Sequence, residues 1–145
     1  MAAFTRVDDP DDPRVAAFRD VRERDLVGRD GLFVAEGAVV LAVLSASRRH
    51  RALAVLLDER RVEGLAETLA RLPDEVTVLV ASRTVIDAIA GFPLHRGILA
   101  LGRREAPVAA AELLAGLGPR AVVVVACGIA NHDNIGGIFR NAAAF

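Results

Sequence analysis

Lysine, tryptophan and tyrosine are missing from this 145-residue chain, and cysteine and methionine occur once each. With Cys127 as its only thiol the chain forms no internal disulfide. Cys127, His50, His95 and His132 show no paired ligand spacing, so no metal site is predicted. The longest clean apolar run, 121 to 127, is about a third of the roughly 20 residues a membrane helix requires, and no signal-type leader precedes the first element. A cytoplasmic protein with no membrane contact is expected. The aromatics are Phe alone, too scattered for a base-stacking platform. Eighteen arginines against nineteen acidic residues give a net charge of −1, so any binding of nucleic acid must use local patches. What remains is 53% apolar and 26% charged, which excludes disorder as the main state and allows one domain, or a small domain plus part of another.

Strand-like and helix-like periods alternate along the chain. Residues 8 to 13 are an acidic, proline-punctuated lead-in, with Asp12 as N-cap and Pro13 as first residue of a helix to about Arg24. Gly28 to Gly31 breaks the chain. Strands are predicted over 32–35, 52–58, 75–81 and 97–102, and helices over 38–47, 59–72 and 82–91. Ser82 is the N-cap and Gly91 the C-cap of the third helix. This alternation predicts a mostly parallel α/β sheet whose core includes Leu32, Phe33, Val55, Leu57, Val78, Val80, Ile98 and Leu99.

The composition shifts at 103–120, where charge, two prolines and a short Ala-rich helix separate a first domain, 1–102, from a second region, 121–145. The β-branched run 121–127 reads as a strand buried on both faces, ending in an inert core thiol at Cys127. A helix follows from about Ile135, capped by Asp133 or Asn134. A parallel strand needs neighbours, and a helix stopping at Phe145 without a C-cap predicts a chain cut inside its second domain.

That helix carries the strongest chemical signal. At about 100° per residue, Ile135, Ile138, Phe139, Ala142 and Phe145 form an apolar stripe expected to face the sheet. Opposite stand Gly136, Gly137, Arg140, Asn141 and Ala144, so one long cation rises from a cleared surface. Two glycines in a first turn cost on the order of 1 kcal/mol each, which close approach of a ligand or another backbone would explain. Free N–H groups at the helix start suit a phosphate or carboxylate. A purely structural account also stands: Asn134 caps, the glycines permit packing, and Arg140 is solvated.

The segment NHDNIGGIFRNAAAF, 131–145, following a β-branched strand, resembles the first signature motif of the SpoU family, RNA ribose 2'-O-methyltransferases of the SPOUT superfamily. Asn134, Gly136, Arg140, Asn141 and Ala142 match the pattern; His132 stands where proline is frequent and Asn131 where aspartate is. Residues 32–44 and 91–101 are similar to the opening and closing segments of the substrate-binding domain that precedes the catalytic domain in many members. The resemblance implies a small three-layer α/β sandwich like ribosomal RNA-binding proteins, a linker, and the first strand and helix of a truncated trefoil-knot domain. It also implies rRNA or tRNA as substrate and a homodimer in the full-length protein. S-adenosylmethionine would be held by motifs beyond Phe145, leaving this chain without cofactor-binding residues and inactive alone.

Attack by a ribose 2'-hydroxyl requires its oxygen in line with the donated methyl group and loss of its proton. By resemblance Arg140 stands at this step. A guanidinium stays protonated near neutral pH, so gripping a neighbouring phosphate and stabilising developing charge suits it better than acting as base. Asn134 is the second catalytic candidate, organising the loop or contacting substrate, and Asn141 a substrate-binding one. Arg48, Arg49 and Arg51, flanking His50, form a cationic run suited to RNA phosphates or to a helix C-terminus. His95 and Arg96 match the family's loop and are further RNA-binding candidates. Glu36 reads as an N-cap or buried partner. Two other classes stay open: a non-catalytic RNA-binding module, and an unrelated α/β enzyme whose 126–145 turn cradles a phosphate.

Overall fold

The computed structural model describes residues 4–19 and 31–144. The predicted helix end near Arg24 and the break at Gly28 lie outside them. The chain divides into two compact units, Met1–Ala106 and Pro107–Phe145.

The first unit is a three-layer α/β sandwich on a five-stranded sheet. Its strands are β1 (Phe4–Val7), β2 (Leu32–Glu36), β3 (His50–Asp58), β4 (Thr77–Ala81) and β5 (Ile98–Arg104), in spatial order β1-β4-β3-β5-β2. The helices are α1 (Ala38–Ala46), α2 (Ala66–Ala70) and α3 (Arg83–Ala90). Period-two alternation sorts the strand residues into two cores. Ala35, Val55, Leu57, Val78, Ile98 and Ala100 meet Leu41 and Leu44 of α1 and Leu65, Leu69 and Leu72 around α2. Val7, Leu56, Leu79, Ala81, Leu99 and Leu101 meet Ile86 and Ile89 of α3 and Val15 and Phe18. At Leu53 and Ala54 the alternation slips: both pack on the α3 side, where a register shift between Ala52 and Ala54 inserts an extra residue against β5. Of the expected core, Val55, Leu57, Val78, Ile98 and Leu99 are buried, whereas Leu32, Phe33 and Val80 are half-buried.

Several expectations are corrected. The sheet is mixed rather than mostly parallel: β1 and β3 run parallel to β4, but β5 runs antiparallel to both β3 and β2. Strand direction is set by the turn 91–97, to which side-chain periodicity is blind. The edge strand β1 precedes the acidic lead-in of residues 8 to 13, in four residues too few to show a strand pattern of their own. The segment after Pro13 is a 3-10 helix over Pro13–Phe18, capped by Asp12 as expected. Residues 59–72 form two 3-10 turns, Glu59–Arg61 and Glu63–Leu65, before α2. There the buried Asp58 carboxylate tightens the first turn by accepting from the Arg60 amide, and Gly64 weakens the middle. Ser82 and Gly91 cap α3 as predicted, Gly91 in the left-handed region at φ 76°.

The second unit holds α4 (Ala110–Ala115) and α5 (His132–Ala144). Residues 121–127 are not a buried strand. Val122 is 90% and Val125 77% exposed, and no described strand pairs with the run, so its β-branched side chains have nothing to pack between. Cys127 is accordingly an exposed free thiol rather than a core one. No helix among the described residues is long and apolar enough to cross a membrane.

Candidate functional site

Helix α5 starts earlier than the sequence pattern suggests. Asn131, not Asp133 or Asn134, is the cap: its Oδ1 accepts from the amide of Asp133 at 2.7 Å and from that of Asn134 at 3.4 Å. The shift places Gly136 and Gly137 in the second turn. Arg140 is exposed and lies back along the helix, its Nη1 3.5 Å from where a Cβ of Gly136 would stand. It joins no ion pair among the described residues. The guanidinium thus rests over bare backbone with its donors free.

Asn141 instead lines a cleft of about 600 Å³ with Arg120, Val122, Val124, Ile138 and Ala142. Asn134 falls with Ile138 and Asn141 at i, i+4 and i+7 on one face, with Asn134 roughly 120° around the helix from Arg140. The two catalytic candidates therefore do not share a face. The apolar stripe does not cover a sheet either: Phe139 is 71% exposed, while Ile135 and Ile138 are half-buried.

In the first unit, Glu36, His95 and Arg96 come together, joined by Arg61, around a hollow of about 440 Å³ floored by Ala38, Val39, Val40 and Ile98. Glu36 ends β2 half-buried and is no cap; Gly37 holds the N-cap position of α1 without a side-chain bond. Gly37 has φ 97°, and a Cβ there would meet Arg96 Cδ at 2.9 Å, so only glycine lets the arginine stem cross the helix start.

The turn bearing His95 and Arg96 is held on both sides. The Leu94 amide donates to Asp87 Oδ1 at 2.7 Å, and the Asp58 amide donates to the Gly97 carbonyl at 2.9 Å. Asp87 also accepts from Arg83 Nε at 3.1 Å. Asp58, 2% exposed, is bound by Arg60 through Nε at 3.0 Å and Nη2 at 2.7 Å. Those hydrogen bonds, above all the side-chain ones from Arg60, hold the Asp58 carboxyl below the usual aspartate range despite its burial. Sequence reasoning missed Asp58, Arg61 and Asp87. A signal existed for one: a carboxylate in the last turn of α3 opposes the helix dipole, and here the loop amide accounts for it.

Arg48, Arg49 and Arg51 are also exposed, but they stand where β3 begins, whereas His95 and Arg96 flank Gly97 where it ends. The nine residues of β3 separate the two groups by roughly 26 Å at about 3.3 Å per residue. They cannot grip one phosphate. His50 sits between Arg49 and Arg51 with its ring edge-on to Phe33 at 5.7 Å and its Nδ1 buried without a partner.

A mixed α/β sandwich with a cationic turn, followed in the second unit by a glycine-containing arginine helix, defines the class as an α/β protein with two separate sets of exposed basic side chains. Comparison with known proteins agrees. Over 139 residues, 93% of the chain, it is 40% identical to an uncharacterized tRNA/rRNA methyltransferase of Mycobacterium bovis. It is 39% identical over the same length to one of Mycobacterium tuberculosis. The chain spans 46% of the length of each of these relatives. Among solved structures it is similar to an RNA 2'-O ribose methyltransferase, with a TM-score of 0.63, 22% identity, and coverage of 97% of this chain and 52% of that one. It is also similar to an rRNA methyltransferase from Sinorhizobium meliloti, with a TM-score of 0.52, 18% identity, and coverage of 72% and 38%. No family model matches. The chain is thus similar over nearly all of its length to proteins named tRNA/rRNA methyltransferases, and it shares its fold with the solved RNA 2'-O ribose methyltransferase.

Proposed function

We propose that this chain is the RNA-recognising part, plus the first catalytic motif, of an RNA 2'-O-ribose methyltransferase acting on rRNA or tRNA. The observation that carries the reading is Arg140, exposed over Gly136 and in no ion pair among the described residues, in a helix whose sequence resembles the family motif. The names of the relatives support it.

On this reading Arg140 holds the phosphate beside the target ribose, with two parallel N–H donors on its oxygens, and so keeps the 2'-hydroxyl in line for attack. The clear space over Gly137, one residue further along, lets that phosphate approach closely. Asn134 and Asn141, on the adjacent face, orient the substrate from the side of the cleft. In the first unit, His95, Arg96 and Arg61 receive a second stretch of RNA backbone. S-adenosylmethionine is the methyl donor, and an AdoMet-bound fold neighbour supports its use. The cleft of the second unit does not fit that donor: its polar lining is Arg120 and Asn141, with no carboxylate to meet the donor's positive charges. Donor binding is assigned to none of the described residues. The exposed valines of 122–125 and Phe139 support burial of this unit against further protein surface, which on this reading a second copy of the protein helps to supply.

The test is single-turnover methylation by the full-length protein. Arg140→Ala removes methyl transfer at unchanged donor affinity, measured by calorimetry, and Arg140→Lys does not restore it. Wild-type rates in Arg140→Ala overturn the reading.

A further inference from the structure

The described arginines fall into two kinds. Arg6, Arg14, Arg19, Arg60 and Arg83 each meet a carboxylate. Of the rest, Arg61, Arg71, Arg96, Arg120 and Arg140 join no ion pair among the described residues, and neither do Arg48, Arg49, Arg51, Arg103 and Arg104, which are all exposed.

The sheet register gathers these last five at one end. Arg51 is directly opposite Arg103, and His50 directly opposite Arg104, across the β3–β5 ladder. Arg48 and Arg49 sit on the turn leading into β3. Directly opposed residues have Cβ atoms about 4.5–5.5 Å apart, and like charges there destabilise a sheet. A fold under no other demand would place a carboxylate opposite Arg51. Arg48, His50 and Arg51 also line a hollow of about 320 Å³ with Ser47, where Glu75 is the facing carboxylate; Glu105 follows Arg104 in sequence. Five guanidinium groups against two carboxylates make a local cationic collar on a chain whose net charge is −1.

We infer that this collar, completed by Arg103 and Arg104, is a further RNA-backbone contact of the first unit, so that a long substrate reaches from the end of the sheet where β3 begins to the His95–Arg96 turn at the opposite end. The inference rests on the proposed function for the identity of the polyanion. The chemistry favours phosphodiesters: planar guanidinium forks grip phosphate oxygens in pairs, and the collar wraps both faces of the sheet end as a curved backbone would require. An RNA too short to cover roughly 26 Å engages one contact only.

The experiment is RNA binding by full-length protein across a salt series, with a long and a short duplex, for wild type, R103S/R104S and H95A/R96A. Each phosphate contact contributes about 0.9 to the slope of log affinity against log salt for a duplex, so losing both arginines lowers the slope by about 1 to 2. Expected for R103S/R104S is an affinity loss of about tenfold or more on the long duplex, with little loss on the short one if that duplex still binds at the His95 turn. Its Tm stays at or above that of wild type, because cross-strand repulsion is relieved. Unchanged affinity and slope on the long duplex, including the case in which the collar serves an acidic protein instead, overturn the inference. A Tm several degrees lower also overturns it, since the arginines would then be holding the fold. Failure of wild type to bind any RNA sinks the functional reading itself.

Discussion

The ring of Phe33 occupies the space that a side chain on Gly102 would need: across the β2–β5 ladder, a Cβ on Gly102 would come within 2.3 Å of Phe33 Cζ. Glycine in a strand ordinarily weakens it, but here its bareness lets the ring lie flat on the sheet and meet His50 edge-on. Backbone of β5, not a neighbouring side chain, is the floor on which Phe33 packs.

Gly102→Ala therefore lowers stability by about 1–3 kcal/mol through overpacking. Thermal or denaturant unfolding of the chain measures it. Pairing the change with Phe33→Leu recovers part of the loss, since the smaller side chain vacates the contested space.

Asp58 couples stability to acid. Its folded-state pKa is depressed by the hydrogen bonds from Arg60, so its contribution is present above the unfolded aspartate value near 3.9 and is lost as pH falls through the lower folded value. Asp12, lowered to about 2 by its bonds from Arg14, acts in the same direction. Asp58→Asn flattens the fall in stability below about pH 4, and at pH 7 costs about 1–3 kcal/mol as a charge-assisted pair is lost. Unfolding curves at stepped pH show both effects.

Asp87 anchors the cationic turn through the Leu94 amide. Asp87→Ala frees that amide, and its hydrogen exchange accelerates by about tenfold or more, in line with the 1.5–3 kcal/mol of a hydrogen bond to a charged group. On the proposed function, RNA affinity of the full-length protein falls with it while chemistry on bound RNA is retained, which separates KM from kcat.

Asn131→Ala removes the cap of α5 and costs about 1 kcal/mol of helix stability. Faster amide exchange at Asp133 and Asn134 reports it, and Asn131→Asp restores protection because the carboxylate can accept the same bonds.

The corrections divide by physical cause. Where a signal is local, the residues carry it unaided: Ser82 and Gly91 bracket α3, Asp12 and Pro13 open their 3-10 helix, and the alternation in 52–58, 75–81 and 97–102 marks β3, β4 and β5. Where the outcome depends on a distant partner, the pattern misled. The run 121–127 has the composition of a buried strand, but hydrophobicity records only a demand for cover, and no described element supplies it. Asn131 and Asn134 both have capping side chains, and the backbone, not the residue type, chose between them.

The sequence by itself determined the alternation of elements, the two apolar faces of the sheet, the caps of α3 and of the 3-10 helix after Asp12, and the spacing that places Arg140 over glycine, because each follows from contacts within a few positions or from a fixed helical or strand period. Only the tertiary structure decided that β5 runs antiparallel, that Asp58 and Asp87 hold the turn carrying His95 and Arg96, and that Arg51 faces Arg103. Those relations join residues dozens of positions apart, and they exist only once hydrogen-bond register and packing have fixed which segments become neighbours.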